Sequence, residues 1–503
     1  MRQRSSRFSA IVLSLLVLSI LVVTAAPAFA RKPKKRKAAA EQAERLKRES
    51  EARIAALYQM AMARTNQIAS PSQPTIGTMN DGGASIVAPV TPATNAQFLA
   101  DDAASVAPVV PAAGTLLISE FRLRGPNGAS DEFIEIYNNS GAAHTVTASS
   151  GTGYGVAASD GVLRCTIPNA TVIPAGGHFL CTNSVGYSYS AYPSGNGTTA
   201  TGDATYAVDI PDNAGIALFN NNVAANFTLA NRFDAVGSTS EANTLYKEGT
   251  GYPALSTAPP IPNIESSWVR DECGKGGAVN VLGQCTISTP RDTDNNATDF
   301  YFVDTNGTSL GGGQRLGAPG PQNLSSPIQR NSTIAANFLD STVPQSSSPN
   351  RVRDFTSVPA NNSTFGTLSI RRRWTNNTGA NVTLLRFRII DLDTFPAASG
   401  FADLRALTSV AVVVPGINDA ATCTAAGQPT PCTLAVQGTT LEVDNSAPST
   451  GQPNGGGFNS SLSAGTITLA TPLANGASIN LQFLLGLQQT GNFRIYVNVE
   501  ALP

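Results

Sequence analysis

The residues of this chain best suited to chemistry are acids, arginines and cysteines. Asp292-Thr293-Asp294-Asn295-Asn296-Ala297-Thr298-Asp299 is dense in oxygen donors. Calcium takes roughly six to eight oxygens on a tight turn, so Asp292, Asp294, Asn296 and Asp299 are the candidate metal set, and calcium is the one cofactor the sequence suggests. An EF-hand is excluded, because Ala297 stands where that loop needs Gly and Val303 where it needs Glu. The competing reading is a solvated turn, since Asp and Asn stabilise turns through their own side-chain hydrogen bonds.

Arg371 and Arg373 share one face of an alternating run, and Arg386 and Arg388 share a face of the next. Asn376-Asn377-Thr378-Gly379 lies between the runs as a hairpin signal. Like charges across a strand pair destabilise it unless a carboxylate or an anion intervenes. Two outcomes are expected: a groove for an acidic polysaccharide lined by these four arginines, or pairing with acids such as Asp391 or Asp393. Tyr187, Tyr189 and Tyr192 sit in a Ser/Gly-rich loop, where they would either stack on sugars or pin the loop to its scaffold.

Catalytic constellations are sparse. Glu120 and Glu135 fall on neighbouring predicted strands, a spacing at which acid–base pairs work, but no surrounding signature supports them. The two histidines, His144 and His178, have neither a Gly-x-Ser-x-Gly elbow nor a cysteine partner motif. The chain is therefore expected not to be an enzyme.

Cys165, Cys181, Cys273, Cys285, Cys423 and Cys432 form an even set in which each has one near neighbour. Proximity favours bridges 165–181, 273–285 and 423–432 among the connectivities open to six cysteines. Zinc is excluded, because no C-x-x-C pair occurs. Structural bridges imply an oxidising compartment.

The elements that must position these groups follow from the 503-residue chain in order. Arg2, Arg4 and Arg7, an apolar run from Ile11 to Val23, and Ala28-Phe29-Ala30 have the layout of a secretory signal peptide over 1–30, cleaved after Ala30. The six basic residues among Arg31–Lys37 oppose translocation, and the rival reading is an uncleaved anchor. Residues 31–65 read as a basic helical arm: 31–64 carry a net +7 and hold Glu/Arg pairs four apart at Glu41/Arg45, Glu44/Arg48 and Glu49/Arg53. The arm is either a solvated spacer or a contact to an anionic polymer or membrane surface. Residues 66–114, rich in Pro, Ala, Ser, Thr and Asn, read as a flexible linker.

From Leu116 the pattern becomes one of short alternating strands punctuated by Gly, Asn, Pro and Ser, the signature of all-β sandwiches. The fold class expected is mainly β, with two immunoglobulin-like β-sandwiches over 115–325 and 328–503. Further strands are expected at 409–414, 433–436, 466–470, 478–485 and 492–499. The 41% hydrophobic content supplies real cores and excludes a wholly disordered chain.

Five or six motifs in order also resemble a known family. Ile118-Ser119-Glu120-Phe121 with Asp131-Glu132-Phe133-Ile134-Glu135-Ile136-Tyr137-Asn138 is similar to the opening of a lamin-tail domain. Val172-Ile173-Pro174-Ala175-Gly176-Gly177-His178-Phe179-Leu180 resembles its central hairpin. Gly215–Asn220, Phe233–Gly237, Ser267-Trp268-Val269-Arg270 and the closing Gly317-Ala318-Pro319-Gly320-Pro321-Gln322-Asn323 resemble its later elements. The resemblance covers about 115–323, with 183–213 and 238–263 as inserted loops. It implies an immunoglobulin-like sandwich serving as an accessory module, and it supplies no catalytic residue.

These readings converge on an exported, non-enzymatic structural or adhesive protein of the cell envelope or extracellular space, touching other envelope proteins or anionic polymers. The alternative is a module for glycans or polyanions. Nucleic acid is the weaker polyanion, because the chain after residue 64 carries a net −11 and only two lysines, Lys247 and Lys275.

Overall fold

A computed structural model describes residues 114–195, 198–256, 263–272, 290–305, 314–329, 333–392, 402–442, 455–491, 493 and 495–503. The segments read as signal peptide, basic arm and linker, and the bridge expected between Cys273 and Cys285, lie outside these residues. Among the described residues the fold is mainly β, as the alternation predicts, and no helix is long and apolar enough to cross a membrane. Asp102–Pro503 is one compact unit.

The first sandwich contains β1 (Leu116–Arg122), β2 (Phe133–Asn138), β3 (Gly153–Ala158), β4 (Leu163–Pro168), β5 (His178–Asn183), β6 (Ala204–Tyr206), β7 (Ile216–Phe219), β8 (Arg232–Val236), β9 (Ser266–Arg270), β10 (Phe300–Asp304) and β11 (Gln314–Leu316). One sheet runs β6-β5-β2-β1-β9-β10-β11 and the other β8-β7-β3-β4. Ile118, Phe121, Ile134, Ile136, Phe179, Val156, Leu218 and Trp268 fill the space between them. The Cys165–Cys181 bridge joins β4 to β5 and so ties one sheet to the other.

The second sandwich contains β12 (Ile334–Phe338), β13 (Arg351–Asp354), β14 (Thr367–Asn376), β15 (Leu384–Leu392), β16 (Asp403–Leu407), β17 (Val412–Ile417), β18 (Cys432–Gly438), β19 (Thr440–Leu441), β20 (Ser461–Ser463), β21 (Ser478–Gln489) and β22 (Ile495–Leu502). Its larger sheet runs β12-β14-β21-β18-β17, with β13 also on β14 and β16 also on β21. The smaller runs β19-β20-β15-β22. Trp374, Phe387, Phe483, Leu385 and Leu481 pack between them. Cys423–Cys432 fastens the short helix Ala420–Ala425 to β18.

Two expectations are corrected here. β14 and β15 are not a hairpin; they lie in opposite sheets, and Asn376 Nδ2 donates to Ala380 O and Leu473 O (both 2.8 Å) to hold a crossover turn. The strand expected at 466–470 is a turn, with Thr468 and Thr471 bonded to each other through both backbone groups, and β20 just before it takes the place in the sheet.

A strand alternation shows which residues share a face but not what covers that face. β1, β2 and β5 are buried on both faces. The tyrosine loop covers part of the second face, and the segment Gly317–Gln329 with the second sandwich covers the rest.

Candidate functional site

Every predicted site residue that is described has a definite place. Asp299 accepts from Thr293 N (2.9 Å) and Thr293 Oγ1 (2.7 Å). Asn296 Oδ1 accepts from Gly237 N and Glu248 N (both 2.9 Å), while its Nδ2 donates to Ala235 O. Asn295 caps the short helix Asn296–Asp299. The acidic run is therefore a self-bonded turn, and Asp292, Asp294, Asn296 and Asp299 do not converge as a four-ligand calcium loop.

The four-arginine groove is likewise not assembled. Arg371 and Arg373 stand half-buried on the outer face of β14, and Arg371 Nε donates to Gln482 Oε1 at 3.3 Å. Arg386 and Arg388 are fully buried at the joint of the two sandwiches. Each places its Nε 2.7 Å from a different oxygen of Glu500. Arg388 also donates to Asn459 Oδ1 (2.6 Å) and Gly320 O (2.8 Å). Burial works against the Glu500 carboxylate, but the two guanidiniums overcome it and hold its pKa down to about 2. The carboxylate between the arginines is thus Glu500 of the same chain; Asp391 pairs instead with Arg315 at 3.2 Å, and Asp393 lies outside the described residues.

Glu120 and Glu135 do sit opposite each other on β1 and β2. Glu120 accepts from Ser267 Oγ (2.6 Å), Gly320 N (3.0 Å) and Asn459 Nδ2 (3.2 Å). Glu135 accepts from Ser119 Oγ and Gln322 N (both 2.6 Å). Burial, then repulsion by Glu120, pushes Glu135 up to about 8. His178, 3.8 Å from Glu135, is driven down to about 3 by burial and by Arg388, so it stays neutral. This pair is sealed inside the joint and serves cohesion. The tyrosines pin their loop: Tyr187 OH donates to Ala200 O (2.8 Å), Tyr189 OH donates to Glu265, and Arg122 lies 4.6 Å from the Tyr189 ring centroid.

The open site lies elsewhere, inside the second sandwich. Positions 368, 370, 372 and 374 of β14 form one row, in which Leu368, Ile370 and Trp374 pack toward the interior core and Arg372 interrupts them. β12 and β13 pair end to end along β14. The opposite sheet ends at β22, whose Ile495 and Val497 pack toward the same core. Between these edges opens a cleft of about 1060 Å³, walled by Ile370, Trp374, Phe483, Phe493, Ile495 and Val497, with Arg351 and Arg372 in its lining. A neighbouring recess of about 350 Å³ shares Arg351 and Phe493.

The cleft is apolar with an uncompensated positive strip. Arg372 Nη1 donates to Arg371 O (2.7 Å) and Asn350 O (3.2 Å), and its guanidinium lies 5.1 Å from the Phe338 ring centroid. The Arg351 guanidinium lies 5.9 Å from the Phe493 ring centroid. Among the described residues neither guanidinium forms an ion pair with a carboxylate. Burial and then the charge of Arg351 lower the Arg372 pKa. The Trp374 side chain is 6% exposed, yet its indole N–H has no acceptor. Two cations and a free donor beside an apolar wall suit an acidic group on an apolar body. The sequence reading passed over Arg351 and Arg372 in favour of Arg371 and Arg373. The available signal was an arginine within the row Leu368, Ile370, Trp374.

Comparison with protein-family models, with curated proteins and with solved structures finds no match to this chain.

Proposed function

We propose that the chain is a non-catalytic binding and scaffolding protein working outside the cytoplasm, in which two fused sandwiches present the Arg351/Arg372 cleft to an anionic amphiphile. The observation carrying the reading is a pair of guanidiniums, in an apolar gap between two sheets, that form no ion pair with a carboxylate among the described residues. The wall of Ile370, Ile495, Val497 and Phe483 asks for an acyl or aromatic body, while the arginines ask for a carboxylate or phosphate. The burial of Glu120 and Glu135 in the joint supports the non-catalytic reading. The two bridges Cys165–Cys181 and Cys423–Cys432 support an oxidising compartment, in line with the signal-peptide layout. The lamin-tail resemblance of 115–323 supports an accessory module that carries other functions.

Tryptophan fluorescence titrated with dodecanoate tests it. Saturable binding is expected, weakened about tenfold to a hundredfold in Arg372→Met, the loss of one charge-assisted contact worth ~1.5–3 kcal/mol. Dodecanol, which lacks the charge, is expected to bind more weakly than dodecanoate. Absence of saturable dodecanoate binding sinks the proposal, as does binding indifferent to Arg372→Met and Arg351→Met. Binding of an oligogalacturonate in place of dodecanoate would also overturn the amphiphile and return the cleft to acidic glycans.

A further inference from the structure

Asp234 on β8, Glu248 in the loop after Thr244–Tyr246, and Asp292 at the head of the acidic turn each bring one carboxylate oxygen within 4.8 Å of the other two. Two of these side chains are almost wholly buried: Asp234 is 1% exposed and Glu248 6%. Each nevertheless leaves an oxygen, Asp234 Oδ1 and Glu248 Oε2, without a hydrogen-bond partner among the described residues. Their other oxygens are occupied. Asp234 Oδ2 accepts from Ile118 N and Arg270 Nη2 (both 2.6 Å), and Glu248 Oε1 accepts from Arg232 Nη2 at 3.1 Å. A buried carboxylate oxygen left unbonded is costly, and two in one cluster call for a shared partner.

The local charge balance points the same way. Arg270 lies 3.5 Å from Asp292 and 3.8 Å from Asp299 as well as on Asp234, so one guanidinium is spread over three acids. Arg232 serves Glu248, and Arg291 divides itself between Asp271 (3.5 Å) and Asp299 (3.8 Å). Acids outnumber cations around the triad.

We infer that Asp234, Glu248 and Asp292 form a binding site for a divalent cation, calcium by its all-oxygen donor set, that ties β8 to the acidic turn. Oxygens sharing one calcium at about 2.4 Å lie at most about 4.8 Å apart, and the three oxygens here fall within that limit. Asp292 is exposed and opens the site to solvent, which lets water complete the coordination. The site is independent of the cleft, and it differs from the local loop read from the sequence, because two of its three ligands come from outside that loop.

Calorimetric titration of the EDTA-treated full chain with CaCl2 and MgCl2, paired with thermal unfolding, tests the inference. One saturable calcium site and a rise in Tm at saturating calcium are expected, with magnesium at least about tenfold weaker. Asp292→Asn, at an exposed position, and Glu248→Gln should each lower calcium affinity at least about tenfold, while Asp294→Asn, in the same turn but outside the triad, should not. No heat at millimolar calcium overturns the inference. So does calcium binding that survives Asp292→Asn, or binding lost equally in Asp294→Asn. Should Glu248→Gln fail to fold, Asp292→Asn against Asp294→Asn decides alone.

Discussion

Asn459 Nδ2 donates to Glu120 Oε2 at 3.2 Å, although 339 positions separate the two residues. The contact crosses from the second sandwich to the first, and Gly317–Gln329 is threaded between them. Gly320 donates its N–H to Glu120 and gives its carbonyl to Arg388, so this one peptide stretch is bonded to both sides. Ala318 N bonds to Phe458 O and Gln329 N to Gly176 O in the same way. A flexible tether would leave these backbone groups to water. Here they are buried and paired, which makes the two sandwiches parts of one body.

Glu500 is the pivot of that joint. Replacing it with Gln removes the anion shared by Arg386 and Arg388 and leaves two buried guanidiniums short of charge. Breaking a buried pair in this way costs ~3–5 kcal/mol. Chemical denaturation of Glu500→Gln should show a fall of that size, and a fall under ~1 kcal/mol would mean that the joint is wet in solution.

The same network sets a pH dependence. The Glu500 pKa is lowered, so its contribution is present above the unfolded value near 4.5 and is lost as pH falls toward about 2. That of Glu135 is raised, so its contribution is full below 4.5 and is lost as pH rises through about 8. The groups facing Glu135 are Glu120, Arg388, His178, Ser119 and Gln322. Between pH 4.5 and 6.5 this decline is opposed by His178, whose lowered pKa makes stability rise with pH, so the net decline is expected between about 6.5 and 8, and Glu135→Gln should flatten it. An unchanged slope in the variant would place the proton uptake elsewhere.

Much of the fold was legible because strands announce themselves by alternation and their ends by Gly, Asn and Pro. The partners of each polar face were not, since Glu120 and Arg122 read identically whether water or a second sandwich covers them. Asn376-Asn377-Thr378-Gly379 misled for a related reason: the side-chain bonds that favour a hairpin also stabilise a crossover, and the bonds to Leu473, Asn475, Gly476 and Ala477, far along the chain, select between the two. The acid triad was illegible outright, because Asp234, Glu248 and Asp292 become neighbours through tertiary packing alone.

The Cys165–Cys181 bridge closes a short loop yet spans the two sheets of the first sandwich. A loop of separation 16 restrains the unfolded chain by ~3 kcal/mol. Replacing both cysteines with Ser should lower unfolding stability by about that amount, and it adds polar hydroxyls to a core that contains Phe179 and Ile167. Equal stability of the variant and the parent would show that the bridge does not constrain the denatured chain.

The tyrosine loop supplies an internal comparison. Tyr192 is fully buried with a hydroxyl that has no partner, whereas the Tyr189 hydroxyl donates to the buried carboxylate of Glu265. Removing an unbonded buried hydroxyl relieves a desolvation cost, so Tyr192→Phe should be neutral or stabilising. Removing the Tyr189 hydroxyl leaves Glu265 with one donor fewer, and Tyr189→Phe should cost ~1–3 kcal/mol. Side-by-side thermal unfolding of the two variants checks the order. A reversed order would mean that Tyr192 OH finds a partner across the joint, beside Arg386 and Glu442, whose charges already act on it. In that case the loop would belong to the cohesion of the two sandwiches rather than to the first sandwich alone.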